Sequence, residues 1–249
     1  MTQITRLLSI VAVAGSALFA SAAHAATGFE PCPQFFASGQ VPAFNISGDW
    51  KLRALCYDAF AVLHSGKSHT PLFVAERLNR AQLEDARDEE RTNKFFADAR
   101  LPKAERAELE DYKGSGLDRG HMAPAADMPT ASAMAQSFSL ANMVPQSQEN
   151  NRKTWADLEK ATRKYVMRAK GDVFVISGPV FSAQPRTIGP NRVWVPNTLF
   201  KLVYDSQTNR AWAHWVDNTD QARAGAPITY EELTRRLGVQ LLPGIRPRN

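Results

Sequence analysis

The order of apolar and polar positions divides the chain into a leader, several short strands and a few helices. Aromatic and aliphatic residues fill most of positions 57–64, Gly66 follows, and residues 71–75 are again apolar. This predicts two strands joined by a turn, the start of a central antiparallel sheet. His64 and His69 fall in or beside that turn and read as ordinary surface histidines. Residues 79–111 carry charge of both signs and few large apolar side chains, so they read as an exposed connection with a helical piece between Pro102 and Leu109. Gly114 and Gly116 on either side of Ser115 make a flexible lead-in to the next strand.

Residues 118–124 read as a short strand closed by Pro124, residues 125–139 as a loop with a short helix, and residues 138–144 as the second strand of a hairpin. A helix is expected from Asn150 or Asn151 to Arg168, stopping before Gly171. Trp155 on that helix reads as core, where large aromatics at helical spacing usually lie. Residues 173–179 form a buried strand, 193–196 and 199–205 supply another, and 211–216 pairs with it across 206–210. His214 in the last of these reads as a packed or edge histidine. Thr229 to Glu232 is a capping box with Ile228 and Leu233 as its staple, and Gly238 ends the helix. The fold class is therefore α+β, a central and mostly antiparallel sheet with helices packed on it.

The N-terminus changes the compartment. Arg6, an apolar run from Leu7 to Ala20 and the Ala23-His24-Ala25 site read as a secretory signal over residues 1–25. The run is short for a membrane anchor and its flank is rich in small residues, so a cleaved signal is expected over an uncleaved anchor, and the remainder is expected to be exported, periplasmic or secreted, without a membrane span. Residues 26–249 fit a single domain with an N-terminal arm over 26–50. In an oxidising compartment Cys32 and Cys56 read as a disulfide tying the arm to the body, with two buried free thiols as the alternative. The charge of +5 is a weak argument by itself. Placement matters more: Arg152, Lys153, Lys160, Arg163, Lys164, Arg168 and Lys170 cluster on and after the helix, where they could follow a phosphate backbone or simply form a solvated face.

The chemistry concentrates between Asp118 and Glu159. Hydrolysis of a phosphodiester needs a base for water and a cation for the charge on phosphorus-bound oxygens. His121, in Asp118-Arg119-Gly120-His121, suits the first task because imidazole titrates near neutral pH. Gly120 permits a backbone conformation or a close approach that a Cβ would forbid. Asn151, Trp155 and Glu159 recur at i, i+4 and i+8 on one helical face. Asn151 in the first turn could hold a phosphate on free backbone amides, or a hydrated magnesium through its neutral carboxamide oxygen. Glu159 lies about 12 Å further along the axis at about 1.5 Å per residue, so it suits a water around the ion better than the ion itself.

Three spaced motifs, Asp118-Arg119-Gly120-His121, Asn142-x-x-Pro145-Gln146 and Asn151-x3-Trp155-x3-Glu159, closely resemble those of the DNA/RNA non-specific endonucleases of the ββα-metal superfamily. The resemblance runs from roughly Leu55 to Leu242 and implies a ββα-metal finger on the sheet. It implies His121 as general base, Asn151 as the single protein ligand of hydrated Mg2+, with Mn2+ as a substitute, and Glu159 as the residue ordering the water shell. Arg119 and an upstream arginine would contact the scissile phosphate. Arg91, with Phe95 four positions on, matches the upstream one, against a plain surface arginine. Asn150 competes with Asn151, which alone stands four residues before Trp155. Asp118 and Asn142 would be supporting residues, Asn142 either hydrogen-bonding near the ion or bracing the His121 loop. The implied partners are DNA and RNA, held through phosphates and cut to 5′-phosphate and 3′-hydroxyl ends; a homodimer is compatible.

Two other classes compete with this one. A zinc hydrolase is disfavoured, since His-Glu-x-x-His and Cys-x-x-Cys spacings do not occur. A catalytically silent nucleic-acid-binding protein of the same fold is the alternative, and it would have little reason to keep both His121 and Asn151.

Overall fold

The computed structural model describes residues 28–44 and 49–248, so the leader expected over residues 1–25 lies outside the described residues. The chain opens with a three-strand meander, β1 (Leu52–Cys56), β2 (Phe60–Ser65) and β3 (Thr70–Leu78), followed by α1 (Arg80–Asp85). The Asn79 Oδ1 accepts from the Gln82 N–H at 3.0 Å and starts α1. Next come α2 (Leu109–Tyr112), β4 (Asp118–His121), α3 (Ala131–Ser137) and β5 (Met143–Gln146). A π-helical stretch, Asn150–Trp155, then runs into α4 (Ala156–Val166). The C-terminal part holds β6 (Val173–Val180), β7 (Thr187–Ile188), β8 (Val193–Trp194), β9 (Thr198–Asp205), β10 (Arg210–Asp217) and α5 (Tyr230–Leu237).

Six strands form one sheet in the order β1-β2-β3-β6-β9-β10, every neighbouring pair antiparallel. β4 and β5 make a separate hairpin, as do β7 and β8. Everything between Leu78 and Val173 is thus an insertion between two central strands, and it contains β4, β5 and α4. The Asn79 Nδ2 donates to the Asp172 Oδ1 at 3.1 Å and clasps the two ends of that insertion together.

Both faces of the sheet are covered. On one, Phe73, Ala75, Ile176, Phe200 and Leu202 pack with Phe29, Phe35 and Phe36 of the N-terminal arm and with Leu233 of α5. On the other, Val62, Val74, Leu199 and Val216 meet Trp155 and Leu158 together with Met122, Met128 and Phe138. Each such aromatic or aliphatic side chain taken out of water contributes roughly 1.5–3 kcal/mol before entropy is counted. The Cys32–Cys56 disulfide, Cα atoms 5.9 Å apart, fastens the arm to the end of β1, so of the two readings the bridge is the one found.

Several elements differ from the sequence pattern. The first strand is β1, which the pattern missed; the chain turns at residues 57–60, where the Tyr57 N–H donates to the Phe60 carbonyl, so what looked like one strand from residue 57 starts at Phe60. β2 is buried along its whole length, which erases the two-residue period. His64 is fully buried rather than on the surface, its Nε2 2.7 Å from the Glu105 carbonyl oxygen of a distant loop. His69 is half-buried. The helical piece between Pro102 and Leu109 is only a 3-10 turn at Lys103–Glu105, with α2 beginning at Leu109. Residues 140–142 form a 3-10 turn, because the Ser139 Oγ caps the Ala141 N–H, and pairing begins only at Met143. Thr229 caps α5 through the Glu232 N–H at 3.1 Å, while the Glu232 carboxylate binds Arg235 and Arg236.

Candidate active site

Side chains alternate along β4, so Arg119 and His121 share one face while Asp118 and Gly120 share the other. Gly120 is required by close approach: a Cβ there would lie 1.9 Å from the Gln146 Oε1 across the hairpin. The Gln146 Nε2 donates in turn to the Asn150 Oδ1 at 2.9 Å, which packs the hairpin against the start of the helix.

His121 is 8% exposed and sits among aromatic rings, 5.7 Å from Phe95 and 5.0 Å from Phe138, centroid to centroid. Its Nε2 is sealed in the interior without a hydrogen-bond partner. Burial first, and then the Arg91 cation, push its pKa down to about 3, so the ring is held neutral at ordinary pH. Its backbone is fixed as well. The Trp155 indole N–H donates to the His121 carbonyl at 3.2 Å. Asn142, fully buried, grips the following loop by accepting from the Ala123 N–H and donating to the Ala123 and Ser137 carbonyls, each at 2.9 Å. Asn142 is therefore a brace behind the site.

Asn151 is oriented from β4. Its Nδ2 donates to the Asp118 Oδ2 at 2.9 Å, leaving the carboxamide oxygen unclaimed by that contact, while Arg152 binds both Asp118 oxygens at 2.8 Å. Asn150 is consumed structurally, its Nδ2 on the Asp217 carbonyl and its Oδ1 on Gln146. Of the two asparagines, Asn151 is the one that lines the cavity described below. One expectation fails here: residues 148 and 149 are already helical, and the Asn151 N–H donates to the Ser147 carbonyl at 2.8 Å. Its backbone amide is not available to a phosphate. The helix also ends at Val166, short of Arg168.

A cavity of about 350 Å3 brings together Arg91, Arg119, His121, Asn151 and Glu159, with Asp118 at its rim. The Arg119 guanidinium stacks 4.1 Å over Phe95 and that of Arg91 5.0 Å over Phe138, so the two arginines flank His121. Glu159 is pushed up to about 7 by burial, with Lys201 opposing the shift and Asp127 adding to it. Asn151 and Glu159 are hard oxygen donors, the type that suits magnesium. Among the described residues no three His, Cys, Asp or Glu side chains converge to hold a metal, so an ion at Asn151 would keep most of its coordination in water. The residues present fit a hydrated ion.

The sequence cues do not identify the two rings that clamp His121; Phe95 serves there only as a marker for Arg91, and Phe138 reads as strand. The basic cluster is also not one stripe. Arg152 pairs with Asp118, Lys153 with Glu149, Lys160 with Asp157 and Arg163 with Asp127. A larger groove of about 770 Å3 adjoins the cavity through Arg91, Ala125 and Ala126, and Arg87, Lys160, Lys164 and Arg168 line it.

Two short antiparallel strands feeding a helix form a ββα unit beside the large antiparallel sheet, and the fold is of the α+β class. Within that class the chain belongs to the DNA/RNA non-specific endonuclease family, whose model matches residues 37–245. It is 35% identical over 161 residues to the mitochondrial nuclease EXOG of Homo sapiens, covering 60% of this chain and 43% of that protein. To the mitochondrial endonuclease G of Homo sapiens it is 32% identical over 183 residues, 66% of this chain and 58% of that one. A nuclease of Nostoc is 36% identical over 146 residues, 58% of this chain and 51% of that protein. The chain thus spans about half the length of the curated relatives it matches. The solved structure of EndoG in its complex with EndoGI shares the fold, with a TM-score of 0.67 at 22% identity over 81% of this chain and 89% of that one.

Proposed function

We propose that the protein is an exported, magnesium-dependent endonuclease that hydrolyses phosphodiester bonds in DNA and RNA with little sequence preference. The observation that carries this reading is the single cavity in which His121, Asn151, Glu159 and two arginines meet. Arg119 and Arg91, each backed by an aromatic ring, hold the scissile phosphate by its oxygens. With Nε2 sealed in the interior, His121 takes the proton from the attacking water at Nδ1. Asn151 holds the ion through its carboxamide oxygen and Glu159 orders the surrounding waters, while Asp118 keeps Asn151 in place. When bound, Mg2+ supplies Lewis-acid stabilisation of the charge on the phosphorus-bound and departing oxygens, and Mn2+ can replace it. The products carry 5′-phosphate and 3′-hydroxyl ends.

Flanking phosphates run into the adjoining groove past Arg87, Lys164 and Arg168. Contacts to phosphates carry no base code, which accounts for sequence tolerance. The Cys32–Cys56 bridge supports an oxidising, extracytoplasmic location. The test is incubation of the purified protein with supercoiled plasmid and with RNA, in magnesium or in chelator. Both substrates should be degraded only with the metal, and His121→Ala should lose the activity. Hydrolysis that survives both chelation and that substitution overturns the mechanism.

A further inference from the structure

Beneath α4 the sheet carries a lysine that the chemistry above does not use. Lys201, on β9, is 1% exposed and among the largest fully buried side chains. It stands opposite Ser177 in the β6–β9 register, and its Nζ donates to the Ser177 Oγ at 2.8 Å. The same ammonium lies 4.8 Å from the centroid of the Trp155 ring. Trp155, itself 1% exposed, donates its indole N–H to the His121 carbonyl. A cation, an indole and the backbone of the candidate base are thus linked in series inside the protein.

The setting makes the cation consequential. Glu76, Asp127 and Glu159 all lie within electrostatic reach of Lys201, and Arg163 binds Asp127 at 2.9 Å. Glu76 and Asp127 share Lys201 and Arg163, Glu159 has Arg91 as well, and the buried Glu76 Oε1 has no hydrogen-bond partner. A cation over an indole face draws density from the ring and strengthens the N–H as a donor, and this counts most where water is absent.

We propose that Lys201 is a positioning residue for His121, its ammonium holding the Trp155 indole so that the indole N–H fixes the His121 backbone. The role assigned to His121 rests on the function proposed above; the link from Lys201 to Trp155 does not. A misplacement on the scale of 1 Å at a reacting group lowers turnover by up to about 100-fold without abolishing substrate binding.

The experiment compares Lys201→Met/Glu76→Gln, Lys201→Arg and Glu76→Gln with the wild type. Lys201→Met alone takes a buried cation away from Glu76, Asp127 and Glu159 and is expected to unfold, whereas the double variant also removes the unpartnered Glu76 carboxyl, whose pKa burial pushes well up, and keeps the fold. Two readouts are taken on folded protein: the indole N–H resonance of Trp155, assigned by its loss in Trp155→Phe, with its solvent-exchange rate; and kcat and KM on a short oligonucleotide. In the double variant the resonance should move, exchange should accelerate at least about tenfold, and kcat should fall about tenfold with KM within about twofold. Glu76→Gln alone should keep the wild-type values, and Lys201→Arg should recover most of the loss. An unmoved indole resonance in the double variant overturns the proposal, as does Lys201→Arg doing as much damage as the double variant, which would make the lysine a packing residue. A wild type without nuclease activity would instead sink the reading of His121 as base, and the indole readout would still decide the Lys201–Trp155 link.

Discussion

Asp118 and Asn151 are joined across the finger: the carboxamide N–H2 of the helix residue donates to the strand carboxylate at 2.9 Å. Of the two ends of that carboxamide, one is thereby committed and the other is presented. Arg152, binding both Asp118 oxygens, keeps the carboxylate from turning away.

Asp118→Ala should free the Asn151 side chain to rotate. Substitutions around a ligand usually cost about 10- to 100-fold in metal affinity or activity. The variant is expected to need correspondingly more magnesium for half-maximal rate, measured by titrating the metal at saturating substrate. An unchanged metal requirement would mean that Asn151 is oriented by something else.

Gly120→Ala should be poorly tolerated, since the new methyl would overlap the Gln146 side chain. Overpacking of this kind costs about 1–3 kcal/mol. Urea unfolding should show the loss, and Gln146→Ala in the same chain should relieve part of it while sacrificing the bond to Asn150. If the double variant is no better than the single, the clash is not the cause.

The Cys32–Cys56 bridge lies with the N-terminal arm on the face of the sheet opposite the finger. Replacing both cysteines by serine should lower stability by roughly 3 kcal/mol on the chain-entropy account. The specific activity of the folded fraction should be unaffected. Thermal unfolding and a plasmid assay at low temperature separate the two effects, and a fall in kcat at full folding would contradict the separation.

His64 makes stability depend on pH. Burial holds its pKa down to about 4, against about 6.5 in an unfolded chain. A base whose folded pKa is depressed contributes stability that is complete above the unfolded value and is lost as pH falls from about 6.5 towards 4. The full loss for this one residue is about 3 kcal/mol at about 1.4 kcal/mol per pKa unit. His121 and His214, also depressed by burial, act in the same direction. The melting temperature of the metal-free protein should therefore drop between pH 7 and pH 5, and His64→Gln should flatten the drop if the fold accepts it. A curve of His64→Gln parallel to that of the wild type would assign the effect elsewhere.

His121, Arg119, Asn151 and Glu159 were legible in the sequence because each belongs to a motif of short range, a strand of four residues or a helix face. The antiparallel sheet was legible from its apolar runs. What escaped were features made by residues far apart. His64 looked exposed because the carbonyl that receives it, Glu105, lies in a loop without periodicity. Glu76 and Lys201 sit in strands that also carry Arg77 and Asp205, and a charged residue in a mostly apolar strand reads as an outward-facing position. Their burial becomes visible only when α4 is laid over that face. The π-helical stretch left no mark either, since nothing in Asn150–Trp155 distinguishes it from an ordinary helix.

The insertion of the finger between β3 and β6 ties the site to the topology of the whole sheet. Those strands can zip together only after the chain between them has been gathered into a closed loop, and contacts so distant along the chain form slowly. The Asn79–Asp172 clasp at the neck of that loop closes at the same moment. A half-made molecule, with its leading meander formed and its later strands still loose, would therefore carry every residue that lines the cavity and yet lack Leu199 and Val216, the part of the sheet face on which Trp155 and Leu158 come to rest.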